Sequence, residues 1–181
     1  VAGDGFGDTM NAEVNHLIAF QSTLFAGTWS YTSDHGMELW RSASGAPSSW
    51  SRVVSNGFGD ALNCAVLSSA KYAGQLYVGT YSMRVAEPYD STGGEVWRSP
   101  DGLSWSQVNA GGFGSADNPG ITSLAVFDTH LYASTLGKAG HGTEVWRCQV
   151  CDGSDWSRVV DNGFGNSNNR GMNSLEVFDG Q

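Results

Sequence analysis

The 181-residue sequence predicts an all-β repeat fold, and three observations carry that expectation. One string recurs four times: "DGFGDTMN" from Asp4, "NGFGDALN" from Asn56, "GGFGSADN" from Gly111 and "NGFGNSNN" from Asn162. The apolar segments between recurrences are short, β-branched or aromatic, and bounded by Gly, Ser, Asp or Asn, which is the strand signature rather than the helical one. Charged residues make up only 15% of the chain and lysine occurs twice, as Lys71 and Lys138, so long helices built on Glu and Lys pairs are not expected.

The markers Phe6, Phe58, Phe113 and Phe164 are separated by 52, 55 and 51 residues. Four apolar segments follow in the same order within each interval. The first is read at His16 to Phe20, Val66 to Tyr72, Ser123 to Phe127 and Ser174 to Phe178, and the second at Leu24 to Thr28, Leu76 to Thr80 and Leu131 to Thr135. The third carries E-x-W-R at Glu38 to Ser42, Glu95 to Ser99 and Glu144 to Cys148, and the fourth lies at Trp50 to Val54, Trp105 to Val108 and Trp156 to Val160. An antiparallel meander of about 50 residues cannot bury both of its faces alone, so copies must pack on one another. Four strands at this repeat length match a propeller blade, whereas linear solenoid repeats are shorter or carry helices. The expectation is therefore a β-propeller of four-stranded antiparallel blades, three of them full and others partial, with units at about 3–55, 56–110, 111–161 and 162–181 of a single repeat domain.

The hairpin "SPDGLSW", Ser99 to Trp105, resembles the Asp-box or BNR hairpin of sialidase-like and other secreted β-propellers. There Ser, Asp, Gly and Trp build the turn between the third and fourth strands of a blade. The other copies, "SASGAPSSW" and "CQVCDGSDW", depart from that pattern. The aromatic-rich, near-identical units are also similar to propeller lectins of the tachylectin and tectonin type. These resemblances imply an architecture, and a secreted or cell-surface location, rather than a chemistry. Both ends of the sequence fall inside a unit. That predicts a segment of a longer array, or a ring completed by another copy of the chain.

A formal net charge of -9 repels nucleic acid and anionic lipid, so neither is an expected partner. No apolar run reaches the roughly 18 to 20 residues of a membrane span, and membrane insertion is not expected. Of three cysteines, Cys148 and Cys151 are read as a local disulfide stapling a hairpin; reduced thiols, a redox pair or a metal site are the alternatives.

An up-and-down blade puts the connection carrying the recurring string at the same end of the strands as the loops 29–37, 81–94 and 136–142. Aromatic and polar side chains on that face are what a carbohydrate platform uses: rings stack on sugar C–H faces while amides and carboxylates bond hydroxyls. Trp29, Tyr31, His35, Tyr81, Tyr89 and His141, with Asp60, Asn63 and Asn118 of the recurring string, are the candidate ligand-binding residues. The same types serve a protein partner equally well. Within the string, glycine permits positive φ, phenylalanine plugs between blades, and the carboxylate and amide (Asp8, Asp60, Asn11, Asn63, Asn118, Asn169) are expected to bond backbone amides of the turn. Calcium is the metal these carboxylates suit, with Asp8 and Asp60 as candidate ligands; otherwise no cofactor is expected. The repeated Glu and Arg of E-x-W-R are read as structural, an acid of one blade meeting the arginine of the next, because a catalytic site is a single asymmetric constellation. The sequence thus predicts a non-catalytic binding module, with glycans as the leading ligand. The alternative is a protein-interaction or structural repeat of an extracellular assembly, and a sialidase-like glycoside hydrolase fragment is the third reading.

Overall fold

The computed structural model describes residues 4–32, 34–83 and 90–178. Twelve antiparallel strands form three successive four-stranded meanders. Blade 1 comprises β1 (Asn11–Phe20), β2 (Thr23–Ser30), β3 (Leu39–Ser42) and β4 (Ser51–Val54). Blade 2 comprises β5 (Asn63–Tyr72), β6 (Gln75–Ser82), β7 (Val96–Ser99) and β8 (Ser106–Gln107). Blade 3 comprises β9 (Gly120–Phe127), β10 (His130–Leu136), β11 (Val145–Cys148) and β12 (Ser157–Val160). The first strands begin earlier than the alternation suggested, because register shifts between Val14 and His16 and between Val66 and Ser68 break the period of two.

First strands of neighbouring blades lie against each other, as the innermost strands of a propeller do. Asn15 Nδ2 donates to Val66 O, His16 Nε2 lies 2.9 Å from Ser69 Oγ, and Ser68 Oγ donates to Ile121 O. Single bridges, Trp29 to Ala65 and Tyr81 to Gly120, join the blades into one continuous sheet. Residues 171–178, the fourth copy of the first strand, form no ladder of their own. They nevertheless run along blade 3, where Leu175 N donates to Ser123 Oγ and Ser134 Oγ donates to Met172 O.

Apolar side chains fill the seams. Phe25, Met37 and Leu39 of blade 1 pack with Val66, Leu76 and Val78 of blade 2. Tyr77, Val96 and Val108 of blade 2 pack with Ile121, Leu131 and Ala133 of blade 3. Glycine makes this approach possible: a Cβ on Gly27 would stand 2.7 Å from Val66 Cβ, and one on Gly79 would stand 2.7 Å from Ile121 Cβ.

The turns between third and fourth strands solve one problem in different ways. Ser42 Oγ accepts from the amides of Ser44 and Gly45, and Ser99 Oγ from those of Asp101 and Gly102. Asp101 Oδ1 also accepts from Leu103 and Ser104. In blade 3 Cys148 stands in the serine's place and is bonded to Cys151, while the Asp155 carboxylate takes the amides of Gln149, Val150 and Cys151.

Candidate functional site

The recurring string is a left-handed turn. Asn56, Gly57, Phe58 and Gly59 have φ of 49°, 58°, 64° and 101°, and the other copies follow the same path, save that Gly111 opens the third outside the positive-φ region. Asparagine and glycine tolerate this region; phenylalanine does not, at a cost of about 1–2 kcal/mol per residue. Stacking offsets that cost. Phe6, Phe58 and Phe113 lie flat against Trp40, Trp97 and Trp146, with ring centroids at 4.9, 4.2 and 4.6 Å. Each phenylalanine also meets a second tryptophan, Trp50, Trp105 or Trp156, edge to face.

The asparagine that closes each of the first three strings is buried, whereas Asn169 of the fourth is exposed, and none of them bonds turn amides as the sequence suggested. Asn63 Nδ2 donates to Gly57 O at 3.0 Å and to Glu95 Oε2 at 2.6 Å, while its Oδ1 accepts from Thr80 Oγ1 at 2.9 Å. Thr80 Oγ1 in turn accepts from Glu95 N, and Trp97 Nε1 donates to Glu95 Oε2 at 2.7 Å. Blade 1 repeats the network with Asn11, Thr28, Glu38 and Trp40, and blade 3 with Asn118, Thr135, Glu144 and Trp146. The asparagine backbone faces the preceding blade: Met37 N donates to Asn63 O, Gly94 N to Asn118 O and Thr143 N to Asn169 O. One residue therefore locks its own blade by its side chain and the previous blade by its carbonyl. The turn amides are capped by the aspartate instead, Asp8 Oδ1 accepting from Met10 N and Asp60 Oδ1 from Leu62 N.

The acid of E-x-W-R pairs within its own blade, and with a different arginine from the one in the motif. Arg52 Nη1 donates to Glu38 Oε1 at 2.5 Å, and Arg158 Nη1 to Glu144 Oε1 at 2.6 Å. The expected pairing with the next blade's arginine is corrected by strand geometry: the arginine of E-x-W-R points to the opposite face from the acid, whereas Arg52 and Arg158 lie on the adjacent fourth strand. Of the motif arginines, Arg98 does reach the next blade, but it donates to Cys151 O.

The other sequence-predicted residues divide into three groups. His35 Nε2 contacts Asp8 Oδ2 at 3.1 Å, and Thr92 Oγ1 donates to Asp60 Oδ2 at 2.8 Å, so these acids tie the loop between second and third strands to the turn. The Asp8 carboxyl is held below its usual range, first by the Met10 amide and also by His35. Asp8, His35 and Glu38 offer ligand atoms within 4.8 Å of one another, yet Glu38 already serves Arg52, Asn11 and Trp40. For calcium this trio offers few free oxygens. Asp60 stands apart from any such group among the described residues. His141 lies 4.0 Å from Glu144 Oε1. Asn63 and Asn118 are interior to the network, and Tyr89 lies outside the described residues.

Trp29, Tyr31 and Tyr81 form the third group, and the fold brings them together. Trp29 follows Thr28 at the end of β2, and Tyr81 follows Thr80 at the equivalent place in β6. Their ring centroids are 6.0 Å apart, and Tyr31 adds a third ring 5.4 Å from Trp29. Tyr31 is exposed and donates its hydroxyl to Glu13 Oε1 at 2.5 Å, which raises its own pKa. Tyr81 is half-buried, and burial raises its pKa. The group is an aromatic surface crossing the seam between blades 1 and 2, with an exposed carboxylate, Glu13, at its edge. Sequence reading missed Glu13, Thr28, Thr80, Thr135, Arg52 and Arg158; the identical spacing of threonine in every copy was the available signal.

No family model and no curated protein matches the chain. Among solved structures it is similar to a GH74 xyloglucanase from Xanthomonas campestris, at 18% identity and a TM-score of 0.53 over 86% of this chain and 22% of that one. A GH43 α-L-arabinofuranosidase from Clostridium thermocellum matches at 12% identity and a TM-score of 0.47, over 91% of this chain and 57% of that one. A Trypanosoma rangeli sialidase matches at 9% identity and a TM-score of 0.35, over 81% and 37%. The chain thus spans less than two thirds of each of these proteins. The first likeness shows the fold: the three meanders are blades of a β-propeller. No helix among the described residues is long and apolar enough to cross a membrane.

Proposed function

We propose that the chain is a non-catalytic carbohydrate-binding module of a secreted or cell-surface β-propeller. The observation that carries this reading is the Trp29–Tyr31–Tyr81 surface with Glu13 beside it. A pyranose ring presents an apolar face that stacks on indole or phenol and a rim of hydroxyls that a carboxylate accepts from. Two of the three acids of E-x-W-R support binding rather than hydrolysis: Glu38 and Glu144 are buried, each bonded to an asparagine, a tryptophan and an arginine, and so are committed to holding the blade. The disulfide suits an oxidising compartment.

A glycan array followed by titration calorimetry tests the reading. Trp29→Ala and Tyr81→Ala are expected to weaken binding about five- to thirtyfold each, the loss of one stacking contact of about 1–2 kcal/mol. An array without hits, with ordered self-association of the protein, would favour the assembly repeat instead.

A further inference from the structure

The three blades are not equivalent at one carboxylate. In blades 1 and 3 the glutamate Oε1 receives an arginine, and that guanidinium sits over the tryptophan that the same glutamate holds, Arg52 at 6.0 Å from the Trp40 centroid and Arg158 at 5.8 Å from that of Trp146. Phenylalanine covers one face of each indole, so the guanidinium takes the other. A histidine, His35 or His141, also stands three residues before each of those glutamates. Blade 2 keeps the acid, the indole and the phenylalanine: Glu95 Oε2 accepts from Asn63 and Trp97, and Phe58 stacks on Trp97. The arginine and the histidine have changed together. Gln107 replaces the arginine and Thr92 replaces the histidine.

Gln107 is exposed and makes no hydrogen bond to Glu95, and among the described residues Glu95 Oε1 has no partner. Glu95 is also less buried than its counterparts Glu38 and Glu144. Asp60 adds a second negative charge nearby. The molecule therefore shows twice what fills this position, and in blade 2 no described residue fills it.

We infer that the position beside Glu95 Oε1, on the face of Trp97 opposite Phe58, is a guanidinium-binding subsite, filled by an arginine side chain of a protein partner. Carboxylate and indole together suit guanidinium better than ammonium, because its planar fork bonds the acid while its face stacks on the ring. The net charge of -9 attracts cationic partners at long range. This subsite is separate from the Trp29–Tyr31–Tyr81 surface, so glycan binding and arginine binding stand or fall independently.

The test is a titration of Nα-acetyl-arginine methylamide into the protein at low ionic strength, read at the indole N–H resonance of Trp97, assigned with Trp97→Phe. The inference predicts a saturable shift in the wild type, at least about tenfold weaker with the lysine analogue, and lost in both Glu95→Gln and Gln107→Arg. In Gln107→Arg the resonance moves without ligand, because the subsite is then filled in cis. No saturable shift, or an undiminished one in Gln107→Arg, would overturn the inference. So would a response that emerges only in Arg84→Ala, a residue of the 81–94 loop outside the described residues, since the position would then belong to the chain's own arginine.

Discussion

Asn63 makes three side-chain hydrogen bonds, to Gly57 O, Glu95 Oε2 and Thr80 Oγ1, and each of those groups loses one partner without it. Asn63→Ala is expected to cost about 3 kcal/mol in urea unfolding, since it leaves a carboxylate, a hydroxyl and a carbonyl short of a partner. The glycine at the centre of the turn is constrained twice: Gly57 has φ 58°, and an added Cβ would stand 2.7 Å from Asn63 O. Gly59, at φ 101°, has open space around it. Gly57→Ala should therefore destabilise more than Gly59→Ala by about 1–3 kcal/mol, measurable by the same unfolding curves. The glycines and the phenylalanine of the turn were legible in the sequence because positive φ and aromatic stacking are properties of the string itself. The role of asparagine was not. Local chemistry makes it a turn cap, and its partners lie 17 and 32 residues further on. Trp29 and Tyr81 were legible as loop-end aromatics; that they meet across a seam is a property of the packed blades.

At the scale of strands and turns, repetition gave the order of the elements but not their extents. β1 and β5 run for ten residues each, twice the apolar core that alternation picks out in the first copy, because bulges hide the period. The fourth copy, predicted as a strand at Ser174 to Phe178, forms none: a strand exists by its ladder, and the residues alone do not supply one. The turn of blade 3 exchanges a serine acceptor for a disulfide closing a very short loop. Chain entropy then limits its contribution, and Cys151→Ala should cost about 2 kcal/mol. Cys148→Ser in that background is expected to recover little of the loss, because the amides of residues 150 and 151, the counterparts of those that Ser42 and Ser99 accept from, already bond Asp155. Thermal unfolding of the two variants under non-reducing conditions checks both statements.

Across the whole molecule, blades meet through the asparagine carbonyls, the glycine approaches and the apolar seams, and pH acts on them unevenly. Burial raises the Glu95 carboxyl above its ordinary value of 4.5, while Asn63 and Trp97 oppose that rise. A raised acid binds its proton more tightly folded than unfolded, so its contribution is fully present below pH 4.5 and is lost as pH rises through the folded value. Glu95→Gln should then be more stable than wild type at neutral pH, by a margin that shrinks as pH falls towards 4.5, in melting curves recorded across that range. The most direct measurement of the account is amide hydrogen exchange in Asn63→Ala. The asparagine network is held to lock the seam between blades 1 and 2, where Met37 N bonds Asn63 O and Gly57 N bonds Met37 O. Protection at Met37 and Gly57 should fall sharply, while Gly94 and Gly112, which make the same bonds at the next seam, keep theirs. Unchanged protection at Met37 and Gly57, or an equal loss at both seams, would contradict it.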